Sequence, residues 1–425
     1  MSDARGRTVV VGGGIIGAMC AWYLAQSGHS VTLIDRATFG KACSHGNCGF
    51  VSPSHILPLT RPGEVRRAMK LVLRRNSPLI IRPRLSPSLW SWLLKFARRC
   101  NEADMIEAAL ARHALLQSSR TLYEELITSR NLDCEWEAKG LLFVFESSEE
   151  FHAYAATDQL LRTDFGVGAT PCDGDALVEL EPALKPGLGG AWHYQCDAHL
   201  RPDRLMTALR GLLEQHQVEI LDACELRSFG SAAGECREVV TSAGNLAVDA
   251  CIVATGALTP ALNRYLGCRI PIQPGKGYSI TMPRPERCPS IPMILEPHRV
   301  AVTPMQSGYR LGSLMEFAGY DESVRPERLA LLRNGARHYL HTPDCEPIEE
   351  EWYGWRPMTW DGIPYIDRSP TMKNVWIAAG HNMLGLSMGP ATGRLVAELV
   401  NGDTPHLDPR AYRINRIVSS RLSKV

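Results

Sequence analysis

One stretch near the start of the chain constrains the fold more than any other. "RTVVV" is a β-branched run typical of a buried strand, and Gly12, Gly14 and Gly17 follow at once in the pattern G-x-G-x-x-G. The apolar residues of "IIGAMCAWYLAQSG" repeat at helical spacing, and "SVTLID" has the pattern of a second strand that ends in Asp35. Strand, glycine turn, helix, strand and acid in this order predict a Rossmann-like unit that binds a dinucleotide.

The parts of this unit have distinct mechanical roles. Gly12 permits the tight turn, Gly14 lets the backbone approach a pyrophosphate, and Gly17 allows the helix to pack closely on the strand. The N-terminus of the helix faces the phosphates, and Asp35 can accept a hydrogen bond from a ribose hydroxyl. The motif alone leaves FAD and NAD as alternatives, and a glycine-rich turn in an unrelated α/β unit also remains open.

Length, net charge, cysteine spacing and hydropathy limit which classes of protein this chain can belong to. With 425 residues the chain is too long for one ordinary core, so two domains, separate or interleaved, are expected. A formal charge of +1 gives no global support for nucleic-acid binding. The 13 cysteines are scattered without a C-x-x-C pair, which favours a reducing compartment. No apolar run is long enough for a membrane span, and the glycine-broken segment from Thr8 leaves no room for a signal peptide, so we expect a cytoplasmic protein.

Five further motifs follow in order along the chain: "DAHLRPDRLMTAL", "ACIVATGA", "GKGYSITMP", "GWRPMTWDGIPYID" and "VWIAAGHNMLGLSMGPATGRLVAEL". In this order and spacing they resemble the D-amino acid oxidase superfamily of FAD enzymes. The resemblance is greatest to the bacterial D-amino acid dehydrogenases, with glycine oxidase and sarcosine oxidase as more distant relatives. It runs almost end to end and is weakest across 65–190 and 320–350.

The resemblance implies an α/β fold of two interleaved domains. A Rossmann-like FAD-binding domain would comprise 1–62, 191–268 and 351–425. A substrate domain on a mixed, largely antiparallel sheet would comprise 63–190, which includes a basic helical stretch, and 269–350. Independently, "GLLFVFES" and "AWHYQCDA" have the pattern of strands, and "PDRLMTALRGLLEQHQ" that of an amphipathic helix.

The activity implied is oxidative deamination of a D-amino acid, with hydride transfer from Cα to flavin N5. A D-proline or hydroxyproline-like substrate is one option. Because positioning and flavin electrostatics would carry the rate, no side chain is predicted as a general base or other catalytic residue. Electrons would pass to a quinone or another acceptor. The product imine would hydrolyse to a keto acid and ammonia, or stay cyclic for a proline.

Arg356 is the first candidate for substrate binding. The resemblance implies that its guanidinium clamps the substrate carboxylate with two parallel hydrogen bonds, whereas a structural ion pair is the alternative. Arg310, Tyr278 and His45 are further candidates, with plain sheet or loop packing as the alternative for each. Oxidase relatives often place a tyrosine where this chain has Arg299, which leaves the substrate side chain open.

The resemblance also implies a set of FAD contacts. The residues are Gly12, Gly14, Ile15, Ile16, Gly17, Asp35, Arg36, Cys43, Ser44, Asn47, Cys48, Gly49, Leu226, Gly256, His381, Leu384, Gly385, Leu386 and Ser387. A small-residue helix that begins near Gly389-Pro390 would aim its N-terminus at the charge on reduced flavin. No cysteine follows Cys345, so we expect FAD to be bound non-covalently.

The loop "KACSHGNCGF" first suggests a metal site, a redox pair, a nucleophile or a backbone cradle. Cys43, Cys48 and His45 lack partners at metal-ligand spacing, so no metal is predicted. A disulfide across C-x4-C fits a cytoplasmic chain poorly. The resemblance instead implies a cradle for the pyrophosphate and flavin, in which Ser44 donates to phosphate and Asn47 accommodates an unusual backbone angle. His45 stays open between loop packing and tuning of flavin or substrate charge.

The segment from Glu64 to Cys100 is strongly basic, with ten Lys or Arg against one acid, and carries Trp90, Trp92 and Phe96. Such a segment suits peripheral contact with the inner face of the cell membrane. The alternative is an amphipathic helix packed on the substrate domain with a solvated basic face.

Two other functions compete with the dehydrogenase. One is an oxidase of the glycine or sarcosine type that uses O2, and the other is a flavin-binding subunit of a hetero-oligomeric dehydrogenase, with the basic segment as a partner surface. A nicotinamide enzyme is the least favoured.

Overall fold

The computed structural model describes residues 6–72 and 77–416, so Arg74 and Arg75 of the basic segment and both chain ends of the predicted FAD-binding domain lie outside it. Gly256–Leu262 and Pro409–Tyr412 form 3₁₀ helices. The α-helices in the described ranges are α1 (Ile15–Gln26), α2 (Glu64–Val72), α3 (Pro87–Arg99), α4 (Glu102–Arg130), α5 (Ser148–Phe165), α6 (Gly174–Leu180), α7 (Pro202–Gln215), α8 (Asn263–Leu266), α9 (Pro326–Arg337) and α10 (Gly385–Asn401). None of these is both long and apolar enough to cross a bilayer.

In the described part of the chain the strands form four sheets. They are β1 (Arg7–Val11), β2 (Ser30–Ile34), β3 (Phe50–Val51), β4 (Leu79–Ile81), β5 (Leu141–Phe145), β6 (Thr170–Cys172), β7 (Gly190–Tyr194), β8 (Ala198–His199), β9 (Glu219–Leu221), β10 (Leu226–Ala232), β11 (Glu235–Thr241), β12 (Gly244–Ala247), β13 (Ala250–Val253), β14 (Gln273–Met282), β15 (Met293–Glu296), β16 (Val300–Met305), β17 (Gly308–Phe317), β18 (Glu350–Met358), β19 (Tyr365–Arg368) and β20 (Val375–Ala379).

The predicted βαβ unit is confirmed and forms the centre of a six-stranded sheet in the order β19-β20-β13-β1-β2-β9. All its neighbours pair in parallel except β19 with β20. Helices α1, α4, α7 and α10 pack on one face, and the antiparallel β10-β11-β12 sheet covers the other. Because the chain leaves β1 for β2 on one side and later returns to β13 on the other, the carboxyl end of β1 is a topological switch point, where such sheets bind ligands.

The second large sheet has nine strands, in the order β18-β14-β17-β16-β15-β5-β7-β6 with β4 beside β17. Pairs β15·β5 and β4·β17 are parallel and the others antiparallel, so the predicted mixed sheet is confirmed. Every residue of β14 is buried. Helix α9 packs on one face of the sheet, and the loop around Gly46 covers the other.

The two sheets draw their strands from alternating parts of the chain, which agrees with the expected interleaving. The mixed sheet continues past two of the segment boundaries expected from the sequence. Strand β7 begins at Gly190, and β18 pairs with β14 over Glu350–Met358. The division into domains itself stays a prediction.

Candidate active site

A cavity of about 1830 Å³ lies between the carboxyl end of the parallel sheet and the mixed sheet. Val11 at the end of β1, Ala254 after β13 and Ala379 at the end of β20 line it on one side. Residues of β14, β17 and β18 line it on the other. The cavity therefore begins at the topological switch point and extends to the mixed sheet.

The glycine turn closes the first wall of the cavity. Gly12 has φ +112°, and a Cβ there would lie 2.5 Å from the carbonyl oxygen of Ala254. A Cβ on Gly17 would lie 1.8 Å from the oxygen of Gly12, so only glycine lets α1 start this close to the strand. Helix α1 has no side-chain cap of its own, and the backbone N–H of Ile15 donates to Ser44 Oγ at 2.9 Å. The loop thus meets the turn at the helix N-terminus, where phosphates bind.

The carboxylate of Asp35 is oriented by the backbone. Its Oδ2 accepts from Gly13 N at 2.7 Å and its Oδ1 from Ala37 N at 2.8 Å. The side chain is half-buried at the end of β2 and lines the cavity. It is held where an adenosine ribose reaches in Rossmann-like sites.

The mixed sheet holds the loop 41–49 by its carbonyl groups. Ser279 donates to Gly46 O at 2.7 Å, Thr303 to Cys48 O at 2.6 Å and Arg310 to Asn47 O at 2.8 Å. Within the loop, Asn47 Nδ2 donates to Ser44 O at 3.0 Å, and its Oδ1 accepts from Gly49 N at 2.8 Å. The loop is therefore fixed between the mixed sheet and the N-terminus of α1.

The chemistry of the loop follows from this geometry. Burial raises the pKa of the Cys43 thiol to about 11 and also raises that of Cys48, so both are protonated at neutral pH. In the described ranges the loop contributes no member to any group of three metal-ligating side chains. The loop presents backbone groups and Ser44, rather than a metal or a thiolate, to the cavity.

Arg310, which lies under the loop, and His45, which is part of the loop, do not line the cavity. Arg310 is 1% exposed, and its Nε donates to Thr281 Oγ1 at 2.9 Å. His45 Nε2 lies 2.7 Å from Glu350 Oε1, and this hydrogen bond lowers the pKa of Glu350. The geometry gives both residues a role in fixing the loop, which is the packing alternative that the sequence left open for them; their partners Glu350 and Asn47 are remote in the chain.

Arg356 does line the cavity, on β18. Its Nη1 donates to Leu314 O at 2.5 Å and its Nη2 to Ser313 O at 3.3 Å. Ser313 and Leu314 both have positive φ, +117° and +59°, so the guanidinium holds a strained point of β17. Burial lowers the pKa of Arg356, and only the Cys43 and Cys48 thiols oppose that effect. No carboxylate in the described part of the chain pairs with it, so this cation has donors available for an anionic ligand.

Tyr278 lines the cavity as well, but its hydroxyl is engaged. It donates to Glu316 Oε2 at 2.7 Å, and burial raises its pKa. Glu316 is fully buried and also accepts from Arg82 Nε at 2.5 Å. The ring of Tyr278 is therefore positioned by a buried ion pair.

The segment between β20 and α10 forms a further part of the wall, next to the end of β18, where Asn382 N donates to Pro357 O at 3.1 Å. Asn382 has φ +54°, accepts from Thr359 N at 2.9 Å and donates to Gly380 O at 2.9 Å. His381 lies 3.0 Å from Thr392 Oγ1, and burial lowers its pKa to about 3, so the ring is neutral at physiological pH. Asn382, which the sequence did not single out, ties this turn to the end of β18.

Helix α10 begins at Gly385, four residues before the start predicted near Gly389-Pro390. Pro390 has no N–H for the carbonyl of Leu386, and a proline normally marks a helix start for that reason. Here the hydroxyl of Tyr123 donates to Leu386 O at 2.9 Å and replaces the missing bond. The helix N-terminus, with Leu384, Gly385 and Leu386, thereby reaches the cavity.

The structure brings most of the predicted cofactor residues to this one cavity. Gly17 and Ser387 are the exceptions: Gly17 packs against Gly12, and Ser387 Oγ donates to Phe50 O at 2.8 Å. The predicted residues that line the cavity are Gly12, Gly14, Ile15, Ile16, Asp35, Arg36, Cys43, Ser44, Asn47, Cys48, Gly49, Leu226, Gly256, His381, Leu384, Gly385 and Leu386.

Sequence reasoning missed three parts of the wall. Trp352 lies two residues before Gly354 and four before Arg356, and strand periodicity alone would have placed it on the same face. Helices α2 and α3 of the basic segment line the outer part of the cavity. His55, Arg61 and Arg112 line another part, and no local pattern marks them.

Comparison with known proteins agrees with this arrangement. Residues 7–399 match the family described as DAO, FAD dependent oxidoreductase. A D-amino acid dehydrogenase of Methylobacterium nodulans is 33% identical over 94% of this chain and 96% of its own length. One of Paramagnetospirillum magneticum is 31% identical over 97% of this chain and 99% of its own.

Solved structures share the fold. Glycine oxidase from Geobacillus kaustophilus has a TM-score of 0.78 at 22% identity, covering 97% of this chain and 99% of its own. L-Proline dehydrogenase from P. horikoshii has a TM-score of 0.74 at 21% identity, with 97% and 98% covered. Because the family match spans nearly the whole chain, this protein belongs to the DAO family of FAD-dependent oxidoreductases and is an enzyme related to the D-amino acid dehydrogenases.

Proposed function

We propose that this enzyme oxidises the Cα–N bond of D-amino acids and passes the electrons to an acceptor other than O2. The observation that carries the proposal is Arg356, a guanidinium without an acidic partner in the described part of the chain, fixed on the cavity wall by two carbonyl groups. Such a group binds a carboxylate through two parallel hydrogen bonds. The D-amino acid dehydrogenase relatives support a D-configured substrate.

The residues that line the cavity fit the chemical groups of FAD. The glycine turn and Ser44 would hold the pyrophosphate, Asp35 the ribose, and the backbone N–H groups at the start of α10 the flavin ring. Cys345 does not line the cavity, which supports non-covalent binding. When bound, FAD supplies a hydride acceptor.

The protein's own contribution is positioning. Arg356 would fix the carboxylate and so direct the Cα–H bond, while the amino group is oxidised in its neutral form. The donors at the start of α10 would stabilise negative charge on the reduced ring. His381 stays neutral and adds no charge to this wall.

The basic segment supports a peripheral membrane contact and a quinone as acceptor. Its helices α2 and α3 border the outer part of the cavity, and α2 has no buried residue. The segment carries exposed apolar side chains, Met69, Leu85, Trp90 and Leu94, and exposed Lys and Arg on both of its helices. Basic and apolar groups together suit an anionic lipid surface.

Anaerobic bleaching of the flavin tests the proposal. The purified single chain, with FAD, is mixed with a panel of D-amino acids, their L-enantiomers, glycine, sarcosine and both hydroxyproline epimers. We expect bleaching by D-amino acids, followed by faster reoxidation with a quinone or dye than with O2. Bleaching by none of the D-amino acids would disprove the function, and rapid peroxide formation would indicate an oxidase. If the purified single chain is active, it is not a flavin-binding subunit that needs a partner chain for activity.

A further inference from the structure

A second group of basic residues lines the same cavity on elements other than β18. Arg61 precedes α2, Arg112 lies in α4, and His55 lies in the segment that links β3 to α2. Phe143 of β5 and Tyr154 of α5 are part of the same wall. These residues belong to the side of the cavity formed by the substrate domain, and the function described above uses none of them.

Arg112 is buried without a counter-charge. It is 4% exposed, its Nη2 donates to His55 O at 2.8 Å, and its Nε has no hydrogen-bond partner. No acid of the described residues forms an ion pair with it, and Arg61 is the one charged group that acts on its ionisation. A buried guanidinium in this state is destabilising unless an anion reaches it.

Arg61 is the second cation of the group. Its Nε donates to Pro58 O at 3.3 Å, so the two guanidinium groups hold carbonyls three residues apart in one segment. Glu64 and Glu296 act on Arg61 only at a distance, and Glu296 pairs instead with Arg299, 3.4 Å away. Arg61 thus has no carboxylate of the described residues at ion-pair distance, and its charge at the cavity is only partly compensated.

His55 lies close enough to both arginines for their charges to lower the pKa of its ring. Desolvation, with contributions from Arg112 and Arg61, lowers its pKa to about 3, so the ring is neutral at physiological pH. Its Nδ1 has no hydrogen-bond partner in the described structure. The site therefore combines two cations with a neutral, unpartnered ring nitrogen, beside the aromatic rings of Phe143 and Tyr154. This composition suits an anion at the end of a short apolar chain.

We propose that Arg61 and Arg112 form a second anion subsite, which binds an anionic group on the substrate side chain while Arg356 binds the α-carboxylate. The enzyme would then prefer D-amino acids with an acidic side chain over their neutral isosteres. This inference rests on the proposed function, since the substrate must occupy this cavity.

The test compares matched substrate pairs. Rates of anaerobic flavin bleaching are measured with D-glutamate against D-glutamine and D-aspartate against D-asparagine. We expect the acidic member of at least one pair to have the higher kcat/KM. R61Q and R112M should reduce this ratio about tenfold or more, the loss typical of a charge-assisted hydrogen bond. R66Q, which removes an exposed charge of the same segment without reaching the cavity, should leave the ratio unchanged.

A second measurement separates the subsite from the reaction. Perturbation of the flavin spectrum gives the affinity for the α,ω-dicarboxylates from malonate to adipate and for butyrate, with no turnover. We expect one dicarboxylate to bind more tightly than butyrate, and we expect R61Q to abolish this difference in affinity. Because Arg61 is exposed, R61Q should fold normally, so the test holds even if R112M is unstable. If no D-amino acid bleaches the flavin but this difference holds, the proposed reaction fails and the anion subsite stands. Equal affinity for butyrate and every dicarboxylate, or a ratio unchanged in R61Q, would overturn the subsite.

Discussion

Arg356 shows how one side chain can serve both folding and binding. Two of its donors hold the carbonyls of Ser313 and Leu314 at a strained point of β17. These bonds fix the plane of the guanidinium before any ligand arrives, so less rotamer entropy is lost when a carboxylate binds.

Replacing Arg356 with lysine tests this role. Lysine keeps the charge but loses the planar pair of donors, so we expect a loss of about 2 kcal/mol or more, or about 30-fold in KM for carboxylate substrates. Steady-state kinetics of the FAD-loaded variant measures the change. R368K, at an exposed arginine of β19, is the control and should behave as wild type. An unchanged KM in R356K would remove the clamp.

The lowered pKa of His381 predicts how the free energy of unfolding depends on pH. Burial lowers its pKa from 6.5 to about 3. Between these values the unfolded chain binds a proton that the folded chain does not, so stability falls as pH drops below about 6.5 and this residue has no effect above it. The slope is up to about 1.4 kcal/mol per pH unit. Urea denaturation at pH 7, 6 and 5 should show a shallower decline in H381N than in wild type.

The control for this measurement is H152N, at an exposed histidine of α5, which should keep the wild-type decline. His55, whose pKa is also lowered to about 3, adds to the slope in both variants. A decline in H381N as steep as in wild type would show that His381 is protonated in the folded state.

At the scale of the element, β14 is adapted to its neighbour. A Cβ on Gly277 would lie 2.3 Å from Nη2 of Arg356, so this glycine makes the space that the guanidinium occupies. β14 and β18 pair at this point, with Gly277 opposite Gly354. The position of Arg356 is therefore determined by a residue of a different strand.

G277A is expected to displace Arg356 while the FAD-binding elements stay intact. The variant should retain its flavin spectrum but bind carboxylate ligands at least about tenfold more weakly, because the guanidinium would lose its alignment. Titration with a competitive carboxylate measures this effect. G211A is the matched control, since a Cβ at Gly211 in α7 meets nothing within 4 Å. Unchanged carboxylate affinity in G277A would show that Arg356 adjusts without cost.

Elements defined by local patterns could be predicted from the sequence, whereas features that depend on distant residues could not. The unit β1-α1-β2 was predictable because strand, glycine turn and helix are local patterns. The start of α10 was not, because Pro390 is tolerated inside the helix through the hydroxyl of Tyr123, which is 263 residues from Leu386 in the chain. Likewise the burial of Arg310 depends on loop carbonyls 263 and 265 residues away. Long-range bonds of this kind leave no periodic signal in the sequence.

At the scale of the whole molecule, the basic segment predicts a surface property. If α2 and α3 contact lipid, the protein should co-sediment with liposomes that contain anionic lipid, and about 0.5 M salt should release it. The double variant W90S/L94S should bind less, since both side chains are more than half exposed, at 56% and 53%. L110S removes an equally exposed leucine, 56%, from α4 as the control. No binding of wild type at low salt would exclude membrane contact.

The attachment of loop 41–49 to the mixed sheet has a consequence for the order in which the protein is made. Gly46, Cys48 and Asn47 are held by Ser279, Thr303 and Arg310, and the mixed sheet beneath them is completed only by β18. On the ribosome, the glycine turn and its loop emerge long before the residues that fix them. The nascent chain therefore cannot close a cofactor site until β18 and the start of α10 have been made, and FAD must load after that point.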